Sequence, residues 1–168
     1  MEIEMLVLIL VLIFLLIMIW PRILNYAEYW PTSLKKIRKM LKIAKLKKNE
    51  RFYDLGSGDG RFVIIAEKEF KANAEGIEID PFRWLAATIL AFLFARNAKI
   101  RLGNYLNCDF SDADVIALFL KPKPMAKLEK KLKNLKKGAR IVSYMWKFPN
   151  VKPVYENEKE KIFLYITK

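Results

Sequence analysis

The residues best suited to chemistry lie in one short segment, where an apolar strand ends in an acidic residue and runs into three alternating glycines. Residues 52–61 read Phe-Tyr-Asp-Leu-Gly-Ser-Gly-Asp-Gly-Arg, and an apolar stretch of helical character follows from Phe62 to Phe70. Glycines let a ligand approach the backbone closely, and the first turn of a helix offers unpaired N–H groups. The pattern therefore predicts a ligand site at Asp54, Gly56, Ser57, Gly58 and Gly60.

The spacing of these glycines excludes two common nucleotide sites. A dinucleotide-binding turn has the pattern G-x-G-x-x-G, and this chain has Arg61 where the third glycine belongs. The phosphate-loop pattern G-x-x-x-x-G-K-[ST] does not occur in the sequence. The observed pattern is D-x-G-x-G-x-G, and a glycine-rich turn that binds no ligand is the alternative.

A second acidic position follows at the end of the next predicted strand, which reads Gly-Ile-Glu-Ile-Asp over residues 76–80. A carboxylate at the tip of this strand is able to accept hydrogen bonds from both hydroxyls of a ribose. We assign this role to Glu78. Asp80 precedes Pro81, so we expect it to cap the following helix instead.

The pattern D-x-G-x-G-x-G resembles motif I of the class I methyltransferases that use S-adenosylmethionine (SAM). The resemblance implies that SAM is the cofactor and that Glu78 binds its ribose. It also implies that Asn104 bonds the adenine amino group. Ile79 and Tyr105 are then expected on the two sides of the adenine ring.

The stretch from Pro31 onward is similar to a narrower family, the lysine N-methyltransferases that act on the c subunit of ATP synthase and on the adenine nucleotide translocase, with their prokaryotic relatives. The sequence departs from the family pattern at two places. Lys121-Pro122-Lys123 replaces a more apolar segment before the Pro-Met pair, and no tryptophan follows Phe148-Pro149. The matching residues are Pro31-Thr32, Met40-Leu41, Ala44, Asp54 to Arg61, Gly76 to Pro81, Pro124-Met125, Leu128-Glu129, Lys131-Leu132, Gly138-Ala139-Arg140 and Phe148-Pro149.

This resemblance implies methyl transfer to the amine of a protein lysine. We expect a pocket lined by Thr32, Asn104 and residues 121–125, with Pro122 and Pro124 among its catalytic residues. Methyltransferases that act on DNA bases carry Asn or Asp before Pro-Pro and an aromatic residue in the segment after the fourth strand. Residues 120–124 read Leu-Lys-Pro-Lys-Pro, so base methylation lacks its usual acceptor of the amino group.

The amino-acid composition excludes several other kinds of functional site. The chain has no histidine and one cysteine, Cys108, which excludes Ser-His-Asp triads, histidine-bound metals and a thiolate metal site, so we expect no metal. The net charge of +13 favours anionic partners, either nucleic acid or lipid head groups. An RNA or small-molecule methyltransferase and a non-catalytic module that kept the SAM fold are the alternatives to lysine methylation.

The N-terminal residues 1–21 are interpreted as a transmembrane anchor. No polar residue occurs from Met5 to Trp20, a run of roughly 24 Å as a helix. A cleaved signal peptide is the alternative, but the chain begins with two glutamates and lacks a small-residue cleavage site. Lysines and arginines follow the run, so the expected localisation is the cell membrane, single-pass, with the catalytic domain in the cytoplasm.

Residues 22–48 are predicted to form a connector and a basic amphipathic helix, which begins at Leu34 after the cap Ser33 and ends near Lys48. Its basic face is expected to contact lipid head groups, and its apolar face is expected to pack on the domain. Residues 49–168 are predicted to form the methyltransferase domain. Strands alternate there with helices, which predicts an α/β fold with a Rossmann-like sheet and helices on both faces. The helix predicted over 82–96 is apolar nearly all round and is expected to be buried or to lie against a membrane.

Overall fold

The helices and strands alternate as the sequence predicts, in a computed structural model that describes residues 4, 5, 7, 8 and 30–168. Two short 3-10 helices, Tyr105–Asn107 and Lys130–Asn134, supplement the regular elements. The helices are α1 (Leu34–Ile43), α2 (Arg61–Phe70), α3 (Pro81–Phe94) and α4 (Pro122–Glu129). The strands are β1 (Arg51–Leu55), β2 (Asn73–Glu78), β3 (Lys99–Leu102), β4 (Val115–Leu118), β5 (Arg140–Tyr144), β6 (Tyr155–Asn157) and β7 (Ile162–Ile166).

The described strands form a mixed sheet in the order β3-β2-β1-β4-β5-β7-β6. Strands β1 to β5 are parallel, whereas β7 is antiparallel to both β5 and β6. The chain moves from β1 outward to β3 and then returns to place β4 on the other side of β1. Ligands of such sheets bind at this change of direction, beyond the carboxyl ends of the strands. The predicted Rossmann-like sheet is confirmed, and the glycine turn after β1 lies at this point.

Two apolar clusters, one on each face, confirm that helices cover both sides of the sheet. Ile37 of α1 and Val63 of α2 pack with Phe52 in one cluster. Met125 and Leu128 of α4 belong to the other cluster. Both faces of β1 are therefore buried, which makes the end of that strand a rigid platform.

Helix α1 belongs to the core of this unit, which extends from Pro31 to Lys168. Its first turn is capped by Ser33, as predicted, because the Ser33 Oγ accepts a hydrogen bond from the Lys36 backbone at 3.3 Å. The helix ends at Ile43, before the predicted Lys48, because Lys45 adopts a left-handed conformation (φ 51°) and closes the last turn.

Helix α3 is not buried, which contradicts one of the two expectations for it. Only Ala87 and Ala91 of this helix are buried. A Cβ atom at Gly60 would lie 3.2 Å from the Ala87 Cβ, so small residues are needed where α3 crosses the glycine turn. The large side chains point outward instead, with 50–66% of Leu85, Ile89, Phe92, Leu93 and Phe94 exposed.

The expected membrane localisation is corrected, because the residues that the structure describes give no support for a transmembrane anchor. Among the residues that the structure describes, no helix is both long enough and apolar enough to cross a bilayer. Most of the expected anchor, and the connector up to residue 29, lie outside the described residues.

Candidate active site

The glycine turn after β1 joins the tips of β1 and β2. Gly56, Gly58 and Gly60 all have positive φ angles, of 84°, 56° and 77°, which side-chain-bearing residues rarely adopt. The backbone N–H groups of Gly56 and Ser57 both donate to the Ile77 carbonyl, at 2.9 and 3.1 Å. The turn therefore has a defined path that only glycine is able to follow without strain at these three positions.

Glu78 connects the glycine turn to the end of β2. Its buried carboxylate accepts hydrogen bonds from the backbone N–H groups of Gly58 at 2.7 Å, Ile79 at 3.0 Å and Asp80 at 2.9 Å. The carboxylate of Asp80 accepts from two N–H groups in the first turn of α3, which confirms its predicted role as a helix cap. Glu78, by contrast, lies beside the ligand turn, where a ribose-binding carboxylate was predicted.

Asp54 places a second buried carboxyl at the end of β1. Burial raises the pKa of this group well above the usual range of an aspartate, and the neighbouring carboxylates of Glu78 and Asp59 raise the pKa further. Among the described residues, no hydrogen-bond donor or cation offsets this cost. A cationic ligand would supply the missing positive charge, so this acidic cluster fits a positively charged cofactor.

Asp54→Asn is expected to stabilise the free protein at neutral pH and to weaken the binding of a cationic cofactor. Because the folded-state pKa of Asp54 is raised, this group favours folding below its unfolded pKa and loses that contribution as pH rises through the folded pKa. Asparagine does not ionise, so the variant should not lose folding stability in this way as pH rises. Thermal unfolding between pH 4 and 8 measures it, with about 2–4 °C expected per kcal/mol recovered. An equal melting temperature for both proteins across this range would contradict the explanation.

The residues of the turn fit SAM on two further observations. The Ser57 Oγ is buried and has no hydrogen-bond partner within the described part of the chain. Gly76 packs so closely against Ser57 that a Cβ at Gly76 would lie 2.7 Å from the Ser57 Cβ, so only glycine fits beside this serine. A bound ligand with polar groups would satisfy this hydroxyl. Ser57, the backbone at Gly58 and Glu78 are thus the groups that would hold the cofactor.

The three residues predicted around the adenine lie at the ends of β2 and β3. The Gly103 N–H donates to the Glu78 carbonyl at 2.8 Å, which brings the end of β3 against the tip of β2. The Asn104 side-chain carbonyl accepts from a backbone N–H two residues on at 2.9 Å. Tyr105 is half-buried, and burial raises the pKa of its hydroxyl, whereas Ile79 is 41% exposed. Contact with adenine stays a prediction for all three.

The predicted substrate pocket assembles only in part. A Cβ at Gly56 would lie 3.3 Å from the Leu120 side chain, so the chain that leads from β4 into α4 passes beside the glycine turn. Pro122 is exposed and Pro124 half-exposed at the start of α4. Met125, however, is fully buried in the core, so the expectation that residues 121–125 all line a pocket is wrong for Met125.

Thr32 is held beside the glycine turn by an interaction that the sequence does not reveal. The Arg61 Nη1 donates to the Thr32 carbonyl at 2.8 Å, while the Arg61 Nε donates to both carboxylate oxygens of Asp59, each at 2.9 Å. One guanidinium thus ties the segment before α1 to the glycine turn. The only sequence signal is the acidic and basic residue on either side of Gly60, which does not reveal the distant partner.

Comparison with known proteins agrees with this geometry. The family model of the ANTKMT methyltransferase domain matches residues 54–155. A protein-lysine N-methyltransferase of Saccharolobus islandicus is 36% identical over 151 residues, which cover 84% of this chain and 94% of that protein. The Homo sapiens lysine N-methyltransferase of the ATP synthase c subunit is 30% identical over 73% of this chain, although the match spans only 53% of that longer protein.

A solved structure supports both the fold and the cofactor. The crystal structure of an RNA methyltransferase from Salinibacter ruber in complex with S-adenosyl-L-homocysteine superposes with a TM-score of 0.77 at 31% identity, and the match covers 82% of this chain and 93% of that one. The non-catalytic module that the sequence left open is therefore set aside. The chain belongs to the ANTKMT methyltransferase domain family and is a SAM-dependent methyltransferase with a class I Rossmann-like fold.

Proposed function

We propose that this protein methylates the side-chain amine of lysine residues in other proteins. The observation that carries the proposal is the likeness to the Saccharolobus islandicus protein-lysine N-methyltransferase, which extends over 94% of that protein. The arrangement of the site supports it, because the Thr32 segment and the start of α4 both flank the glycine turn.

The mechanism needs orientation more than acid–base chemistry. When bound, SAM supplies a methyl group that its sulfonium already activates. The substrate lysine has to present a neutral amine, and burial among apolar groups disfavours its protonated form. The glycine turn and Glu78 hold the cofactor side of the site. The Thr32 segment and the Leu120 turn exclude water and direct the amine along one line of approach.

The experiment that tests this function follows the methyl label. The full-length chain is incubated with SAM labelled on its methyl group and with separate protein and RNA fractions, and labelled peptides are analysed by mass spectrometry. We expect label in protein, as mono-, di- or trimethyl-lysine, and none with the Gly58→Val variant. Label confined to RNA or to small molecules would refute lysine methylation.

RNA methylation is the second candidate, because the similar protein from Salinibacter ruber is named an RNA methyltransferase and the net charge of this chain is +13. An enzyme that acts on RNA binds phosphates through its lysines and arginines, so its affinity falls steeply with salt. Binding of RNA oligomers at 50 and 200 mM salt distinguishes the two candidates. Weak binding of RNA without a steep dependence on salt would exclude RNA methylation.

Arg61→Lys is expected to lower peptide methylation on the order of tenfold while SAM affinity changes little. Lysine keeps the positive charge but lacks the planar guanidinium, whose separate nitrogens bond Asp59 and the Thr32 carbonyl, so the tether of the segment before α1 is weakened. Small displacements of the groups that orient a substrate lower the rate of reaction in this way. The measurement is kcat/KM with a peptide substrate, beside the SAM dissociation constant. Loss of SAM affinity without loss of turnover would contradict a role for Arg61 in positioning Thr32.

A further inference from the structure

Four lysines form a row along α4 and the 3-10 helix that follows it. Lys123, Lys127 and Lys130 are spaced four and three residues apart, and Lys133 follows after three more, so their side chains share one face. All four are exposed. Within the described part of the chain, no carboxylate lies within ion-pair distance of any of them. We call this set the lysine row.

The lysine row lacks the carboxylate partners that some basic side chains elsewhere have. Lys36 and Lys39 share Glu160, and Lys147 contacts both Glu156 and Glu158. Like charges at these helical spacings repel each other. A face that keeps four of them without a counter-charge is suited to an anionic partner.

The row borders a groove whose lining includes Leu106, the residue that follows Tyr105 and donates its N–H to the Asn104 side chain. The groove has a volume of about 400 Å³ and lies between the 3-10 helix after β3 and α4. Lys131 fixes one wall, because its Nζ donates to the Cys108 carbonyl at 2.9 Å and lies over the Phe110 ring. Lys123 stands between the two prolines at the start of α4, directly after the turn that passes Gly56. The lining residues are Leu106, Ala126, Lys127, Lys130 and Lys131.

We infer that the lysine row binds an acidic stretch of the protein substrate, on one side of the lysine to be methylated. The inference rests on the proposed function. From Lys123 to Lys133 the row extends about 17 Å, the reach of about five residues of extended peptide. Acidic residues within this distance of the target would also offset the repulsion between a cationic lysine and a chain of net charge +13.

The lining of the groove favours a peptide over single-stranded RNA. Proteins that bind single-stranded RNA stack its bases on aromatic rings or on the planes of arginines. The groove has aliphatic residues and lysine stems, and within the described part of the chain neither an aromatic residue nor an arginine lines it. Acidic side chains on an extended backbone need only the point charges that lysines provide.

The test uses the full-length chain and three peptides that contain one lysine. One peptide carries four Asp or Glu residues before the lysine, one carries them after it, and the third has Asn and Gln at all these positions. We expect one acidic peptide to exceed the neutral one about tenfold in kcat/KM at 50 mM salt. Because salt screens the attraction, the advantage should shrink at 500 mM.

The variant Lys127→Glu/Lys130→Glu should remove this advantage and leave the neutral peptide and SAM binding unchanged. The control Lys48→Glu/Lys71→Glu makes the same change of charge at two exposed lysines near the amino end of β1 and should keep the advantage. Equal turnover of acidic and neutral peptides, or an equal loss in the control, would overturn the inference.

A direct binding measurement separates failure of docking from failure of the proposed function. Fluorescence anisotropy compares an acidic peptide without lysine and a single-stranded RNA of equal charge on the SAM-bound protein. Peptide binding that depends on Lys127 and Lys130 supports the lysine row even if no peptide is methylated. Tighter binding of the RNA, or no change with the double variant, would overturn it.

Discussion

Glu78→Ala is expected to weaken SAM binding roughly ten- to hundredfold, which corresponds to about 1.5–3 kcal/mol for hydrogen bonds to a charged group. The carboxylate lies beside the glycine turn and accepts hydrogen bonds from three backbone N–H groups, among them that of Gly58 at 2.7 Å. Its loss removes the predicted acceptor for the ribose hydroxyls and also frees the tip of the turn. Isothermal calorimetry on the folded variant measures the effect.

Glu75→Ala is the matched control, since Glu75 lies on the same strand but its carboxylate pairs with Arg101 away from the turn. This control should keep its SAM affinity. Glu78→Gln retains one acceptor and should fall between the wild-type protein and Glu78→Ala. A folded Glu78→Ala protein that binds SAM as tightly as the wild type would remove Glu78 from the cofactor site.

Gly58→Val is expected to reduce SAM affinity to a similar extent and to abolish methyl transfer. Gly58 has a φ of 56°, and a β-branched residue there is strained. The side chain would also stand where the backbone has to meet the ligand. Forced overpacking costs roughly 1–3 kcal/mol in protein interiors, and we expect a similar loss in binding free energy. Calorimetry and the labelled-methyl assay both measure it.

Gly138→Val separates backbone strain from blockage of the ligand. Gly138 also has a positive φ, of 81°, but it lies in the turn before β5, and a Cβ there meets nothing within 4 Å among the described residues. This variant should lose about 1–2 kcal/mol of folding stability from the left-handed conformation and bind SAM normally. Equal losses of SAM affinity in both variants would mean that strain alone explains the result at Gly58.

The glycine turn and the position of Glu78 beside it were predictable from the sequence because they depend on residue types and on the alternation of strands and helices. The turn from Gly56 to Gly60 needs positive φ angles at fixed spacing, and this need is visible in the residue types themselves. Glu78 follows because the tips of adjacent parallel strands meet at one edge of a sheet. The Asp80 cap was equally readable from the proline that follows it.

The substrate half was less predictable because it depends on contacts between distant segments. Thr32 is held by Arg61 through its backbone carbonyl, which no residue type reveals. Met125 was expected at the pocket, but one step along a helix turns a side chain by about 100°, which places Met125 in the core and Pro124 at the edge. The expectation that α3 is buried was wrong for a related reason. An apolar composition does not show which side of a helix packs against the protein.

By itself, the sequence determined the glycine turn after β1 and the alternation of strands and helices, and its resemblance to a known family indicated a methyltransferase. The turn and the alternation depend on backbone conformation and on periodicity, which are local. Only the tertiary structure decided that α3 shows its large apolar side chains to solvent, that Arg61 joins the Thr32 segment to the turn, and that four lysines of the described chain stand together without counter-charges. These outcomes depend on which surfaces are buried when the sheet packs, and burial is determined by contacts between residues that are far apart along the chain.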